Sequence, residues 1–253
     1  RYKGAGNAIV DMRRVYYTKW GVDAWDSRGT FSGMEVLNEW HDVRDGERIL
    51  VLEPKFGDSA CSILNMYRRR GMRSYMTAVA FDARYCEDTG YLFDHVIRAE
   101  QIEDVSLRTT EKYDVISTGC YLDELSMQAV MRSIELLYQL LAPGGILFLP
   151  VRNPGSAYEL DAILHRGMRD VYCLDNEVRR CVSISYRHLL RALHEHPSLH
   201  HYQFASINFN EDERLAERMK PLLCMDEDLP PDAELSLFVR MIFLGITKKT
   251  EQE

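Results

Sequence analysis

The chain of 253 residues is 46% hydrophobic and 28% charged, the make-up of a globular protein, and this excludes wholesale disorder. Its formal net charge of −8 argues against a broad grip on nucleic acid, because phosphate binding needs a positive surface, but a local basic patch stays open. No apolar run approaches the roughly 20 residues that cross a bilayer, so no membrane partner is expected.

The first 48 residues are polar and aromatic, with Tyr16, Tyr17, Trp20, Trp25 and Trp40 set among charges. Helices are expected near 7–20 and 33–42, broken by the turn-like DSRGTFSG. Residues 1–47 therefore read as a helical extension or cap, and 48–253 as a single α/β domain. ERILVLE is a short apolar run of the kind that forms a strand covered on both faces.

Asp58 or Ser59 can cap the helix that follows, in which Ala60, Ile63, Leu64 and Tyr67 recur at i, i+3, i+4 and i+7. RRRG closes it, with cations at the negative end and Gly71 just beyond. SYMTAVAFD, DHVIRAE and YDVISTG are the next strand candidates. SMQAVMRSIELLYQLL then reads as a helix with Ala129, Ile134, Leu137 and Leu141 toward a core, stopped by APGG before a fifth strand, ILFLPV.

Beyond Pro154, helices are expected near 156–168 and 185–195, the second capped by Ser183 or Ser185. HHYQFASINF reads as a strand, and EDERLAERMKPLLCMDEDLPPDAE as a helix followed by a solvated loop. LSLFVRMIFLGITKK, rich in β-branched and aromatic residues, is the final strand. This alternation specifies an α/β fold with a mainly parallel sheet and right-handed crossovers.

The order of these elements resembles the class I S-adenosylmethionine-dependent methyltransferases over about residues 33–249. It is most specific at YDVISTGCYLDEL followed by LLAPGGILFLPV. The resemblance implies a Rossmann-like, seven-stranded, mostly parallel sheet with helices on both faces and an antiparallel last strand. Pro143, Gly144 and Gly145 turn helix into strand, so they mark the fold rather than a chemical role. The implied cofactor is S-adenosyl-L-methionine.

The family's first motif, an acid followed by alternating glycines, falls on Glu53, with Lys55, Gly57 and Ser59 at the glycine positions. Glycine serves there because the backbone approaches the methionine part of the cofactor closely, and only one in three is present. Lys55 fills the first position with a side chain and a cation. Glu53, Gly57 and Asp58 are the candidate contacts on this loop. Asp82 matches the acid that takes both ribose hydroxyls, or else caps a helix; it lies 82 − 53 = 29 residues beyond Glu53.

Glu100 and Gln101 match the segment beside the adenine, and Gln101 is the candidate acceptor there. Ser117, with Thr118, Gly119, Cys120 and Tyr121, matches the loop that lines the cofactor and the acceptor mouth. Asp123 and Glu124 read as solvated acids at a helix start rather than as a catalytic pair.

No catalytic base is identified. The resemblance thus carries two functions: methyl transfer to an unassigned acceptor, or a catalytically silent relic. The relic would serve as a structural or assembly subunit of a ribonucleoprotein, for example a ribosomal or mitochondrial ribosomal one.

Arg68, Arg69, Arg70 and Arg73, near Tyr67 and Tyr75, form the densest basic patch. They read as an RNA or protein contact in a larger assembly, or as a solvated helix end. His194, His196, His200 and His201 lack metal-ligand spacing, and the six cysteines lack any C-x-x-C pair, so no metal is expected. Scattered thiols fit an intracellular protein, cytoplasmic or mitochondrial. Because the chain begins at Arg1, an upstream segment is expected to have been removed, which leaves targeting open.

Overall fold

The computed structural model describes residues 15, 33–54, 58–82, 92–119, 121–153, 155–157, 160–161, 186–207, 210–223, 237–239 and 241–249. Apart from residue 15, the helix expected at 7–20 lies outside these residues, as does most of the one expected at 156–168. In chain order the elements are α1 (Met34–Trp40), β1 (Glu47–Leu52), α2 (Asp58–Arg68), β2 (Ser74–Ala80), β3 (His95–Arg98), α3 (Ile102–Arg108) and β4 (Tyr113–Ser117). A 3-10 turn (Tyr121–Glu124) follows, then α4 (Met127–Leu140), β5 (Leu141–Arg152), α5 (Tyr186–Glu195), β6 (Tyr202–Ile207), α6 (Asn210–Leu223) and β7 (Met241–Thr247).

The strands form one seven-stranded sheet in the order β3-β2-β1-β4-β5-β7-β6. β1 to β5 pair in parallel, and β7 enters antiparallel between β5 and β6. Both faces of the sheet are covered, which is why its strands read as apolar runs. Leu50, Leu52, Ile116, Leu147 and Leu244 pack on one face against Ile102 and Val105 of α3, Val130, Ile134 and Leu137 of α4, and Leu189 of α5. Ile49, Val51, Val115, Phe148 and Phe243 pack on the other against Leu37 of α1 and Ile63 and Tyr67 of α2. Ala216 and Met219 of α6 form a smaller cluster with Ala157 and Leu237.

Local chemistry sets the element ends. α2 finishes in a reversal at Gly71 (φ 69), where Gly71 N–H donates to the Arg68 carbonyl and Met72 N–H to the Tyr67 carbonyl. Ser126 caps α4 by accepting from Ala129 N–H, and Val130 rather than Ala129 leads the buried stripe. The helix hands over directly to β5 at Leu141, so the PGG segment lies inside the strand instead of preceding it.

β5 spends the residues between Leu141 and Ile146 in a bulge opposite Tyr113 and Val115 of β4. A Cβ at Gly145 would lie 2.9 Å from the carbonyl oxygens of both Tyr113 and Asp114, so the bulge requires glycine. α3 is a helix beyond those expected. Asp104 holds its entry by accepting from the backbone N–H groups of Glu100 (3.0 Å) and Gln101 (3.1 Å). Those bonds hold the Asp104 carboxyl below its ordinary value. Among the described residues no helix is long and apolar enough to cross a membrane.

Candidate active site

The chain leaves β1 toward β2 on one side and later returns to β4 on the other. Such a reversal opens a crevice outside the carboxyl ends of the strands, where ligands of open α/β sheets bind. Glu53, Phe81 with Asp82, Gln101 and Ser117 follow or end β1, β2, β3 and β4, so the fold brings four of the sequence candidates to one edge.

Glu53 holds this edge together. Its N–H donates to the Val79 carbonyl at 2.7 Å, continuing the ladder one residue past β1. Its backbone then turns left-handed (φ 39), a conformation rare outside glycine that redirects the chain into the loop. The side chain folds across β2, where Oε2 accepts from the N–H groups of Phe81 (2.7 Å) and Asp82 (3.3 Å). An acid is therefore required at this position for a structural reason. It satisfies donors that the end of a strand exposes, and it fixes where Asp82 leaves the sheet. The 29-residue interval is bridged by a hydrogen bond.

Ser117 and Thr118 are fully buried, and Thr118 N–H donates to the Phe148 carbonyl at 3.2 Å. The chain then turns at Gly119 (φ 50), and Tyr121 N–H donates back to the Thr118 carbonyl at 3.1 Å. The Tyr121 ring stacks on the Phe81 ring, with centroids 4.5 Å apart and planes 14° from parallel. Burial pushes the Tyr121 hydroxyl up to about 12, helped by the negative charges of Glu103 and Glu53, so the phenol is neutral near pH 7. Phe81 was not a sequence candidate; its signal was an aromatic side chain directly before Asp82.

Asn153, just past β5, is buried and also absent from the sequence candidates. Its Nδ2 donates to the Val239 carbonyl at 2.6 Å and its Oδ1 accepts from Gly155 N–H at 3.0 Å, joining the end of β5 to the approach to β7. Gln101 is exposed at the start of α3. Lys55, Gly57 and Cys120 lie outside the described residues. Asp58 opens α2, and its side chain, like those of Asp123 and Glu124, is outside the description.

The basic patch sits at the opposite edge of the sheet, where α2 ends and β2 begins. Arg68, Arg69, Arg70 and Arg73 are exposed. Arg70 Nη2 donates to Asn38 Oδ1 at 2.8 Å and Arg70 Nη1 lies 3.9 Å from Asp42, so one acid just past α1 offsets part of the charge. His196 pairs with Glu135 at 3.3 Å, and no group of three His, Cys, Asp or Glu among the described residues is placed to hold a metal ion.

No protein-family model matches the sequence, and no curated protein matches it significantly. Solved structures do match along nearly the whole chain. An S-adenosylmethionine-dependent methyltransferase from Archaeoglobus fulgidus superposes with a TM-score of 0.55 at 13% identity, over 92% of this chain and 98% of that one. The plantazolicin methyltransferase BamL gives 0.53 at 13% identity over 98% and 93%. The plantazolicin methyltransferase BpumL, solved with S-adenosylhomocysteine, gives 0.52 at 13% over 98% and 91%. At these identities the likeness concerns the fold: the chain has the class I S-adenosylmethionine-dependent methyltransferase fold.

Proposed function

We propose that the chain is a methyltransferase that binds S-adenosylmethionine in the crevice beyond β1, β2 and β4 and serves an acceptor nucleophile there. The observation that carries this reading is the Glu53 bracket, which reaches from the end of β1, where the strand order reverses, to fix Phe81 and Asp82 at the end of β2. The residues suit such a group. Asp82 offers a carboxylate able to accept two hydrogen bonds from a diol. Among the described residues a Cβ at Gly119 would meet the Leu52 carbonyl oxygen alone, at 3.7 Å, an ordinary contact.

When bound, S-adenosylmethionine supplies an electrophilic methyl group on a sulfonium. The protein's part is to hold and orient the two reactants and keep water out, because bringing them into line removes much of the entropic barrier. Glu53, Gly57, Asp58, Asp82, Gln101 and Ser117 are the proposed cofactor contacts, and the segment at Tyr121 borders the acceptor mouth. The buried Ser117 contributes as wall.

A second reading is a cofactor-free structural or assembly subunit of a ribonucleoprotein, with Arg68, Arg69, Arg70 and Arg73 toward the partner. It is favoured by the loop after β1, which carries Gly57 alone where glycines alternate in the resembled motif. Titration calorimetry of the whole chain with S-adenosylmethionine and S-adenosylhomocysteine separates the two. Saturable heat with one-to-one stoichiometry is expected for the methyltransferase. A folded chain silent at millimolar ligand would overturn that reading in favour of the second.

A further inference from the structure

Two aromatic rings, Phe81 and Tyr121, stack on each other at the mouth of the crevice. Phe81 is mounted on the sheet through its N–H bond to Glu53, whereas Tyr121 opens a four-residue 3-10 turn reached through Gly119 in the left-handed conformation. Leu122, the next residue, is completely buried and anchors the turn, while the Tyr121 ring beside it is only partly buried and packs at the margin of the core. Centroids at 4.5 Å and planes at 14° describe rings in contact. A third aromatic ring between them needs two contacts of about 3.5–4 Å each, so the slot has to widen to about 7–8 Å.

We propose that the Phe81–Tyr121 stack is an autoinhibitory shutter: in the free protein the rings close on each other, and a purine-bearing ligand enters when Tyr121 rotates away. This rests on reading the crevice as the S-adenosylmethionine site. The ligand then competes with the protein's own ring, and its apparent affinity falls by the fraction of molecules in the open state. Tyr121 suits this role better than a fixed platform would, because its ring belongs to a short turn while its partner belongs to a strand end.

The test is calorimetry with S-adenosylhomocysteine on the full chain and on Tyr121→Ala and Tyr121→Phe, each checked by thermal melting. Tyr121→Ala removes the shutter and is expected to bind about 10-fold more tightly, or to bind where the parent does not, with the gain in the association rate. That factor corresponds to about 1.4 kcal/mol. Tyr121→Phe keeps the stack and is expected to match the parent.

If the parent binds and Tyr121→Ala binds equally or less well, the shutter is overturned while the cofactor reading stands. If neither binds, both fall. Should Tyr121→Ala fail to melt cooperatively, Phe81→Leu removes the other ring and carries the same expectations.

Discussion

The Tyr67 hydroxyl donates to Glu47 Oε2 at 2.5 Å, joining the last full turn of α2 to the first residue of β1 in a site closed to solvent. His41 Nε2 lies 3.0 and 3.1 Å from the same carboxylate, and Arg44 Nε donates to it at 2.9 Å. One buried acid thus fastens the exit of α1, the start of β1 and α2. Tyr67→Phe leaves the charge in place without its shortest donor, and is expected to cost about 1.5–3 kcal/mol. The measurement is the urea midpoint at unchanged m-value; a midpoint equal to the parent's would show that water replaces the phenol.

The same carboxylate predicts acid sensitivity. Burial, the largest single influence, pushes the Glu47 carboxyl up, but hydrogen bonds from His41 and Tyr67 and the charge of His41 together hold it at about 2. Its folded value lies below the ordinary value of 4.5, so its stabilisation is complete above pH 4.5 and is lost as pH falls through that window toward 2. Urea midpoints are expected to fall across this range in the parent. In Glu47→Gln the fall is shallower, from a lower starting stability.

Gly245 in β7 faces the Trp40 indole, where an added Cβ would lie 2.7 Å from Trp40 Cε3 and 3.1 Å from Ile146 Cδ1. Gly245→Ala overfills this contact and is expected to destabilise the chain by about 1–3 kcal/mol. Adding Trp40→Leu to Gly245→Ala is expected to recover part of the loss, read as a non-additive double-mutant cycle in thermal melts.

Glu53→Ala leaves the N–H groups of Phe81 and Asp82 without their acceptor, at a cost of about 1–3 kcal/mol. With the proposed cofactor role it also lowers S-adenosylhomocysteine affinity, because Asp82 loses its fixed exit from the sheet. Calorimetry on folded protein checks the second effect: unchanged affinity would detach Glu53 from ligand binding.

Lys248 Nζ donates to the carbonyls of Leu141 (3.0 Å) and Tyr138 (3.4 Å), while Lys112 Nζ donates to Gln139 (2.7 Å), so two lysines from elsewhere satisfy the open end of α4. Burial, with the nearby Lys112 charge, lowers the Lys248 pKa. Lys248→Met is expected to cost about 0.5–1.5 kcal/mol in urea unfolding, one hydrogen-bonding group's worth. A neutral result would assign the capping to Lys112.

The fold was largely legible because a sheet covered on both faces writes itself as apolar runs: ERILVLE and ILFLPV mark β1 and the body of β5. The Gly71 stop was legible for a comparable reason, since few residues other than glycine fit a left-handed reversal. α3 was not, because its seven residues are too short to show a period, and its capping acid Asp104 lies among other acids. The PGG segment read as a turn before β5, whereas it is a bulge inside it; its need for Gly145 comes from carbonyls of a neighbouring strand. At the candidate site, the motif pointed to Asp82, and the structure adds its position just past β2, with its N–H on Glu53. The Glu53 bracket and the Phe81–Tyr121 stack depend on contacts between distant strand ends, which no local pattern encodes.

β7 is late in the sequence yet interior in the sheet, with β5 on one side and β6 on the other. During synthesis the β5 edge waits for its partner while some ninety further residues are added, and β6 cannot join at all before β7 arrives. A nascent chain that has made α6 but not β7 therefore carries an apolar edge open to wrong pairing. Assembly is committed only when the last strand threads the gap, so chains stopped before Met241 should be protease-sensitive and dependent on chaperones, however complete their parallel half.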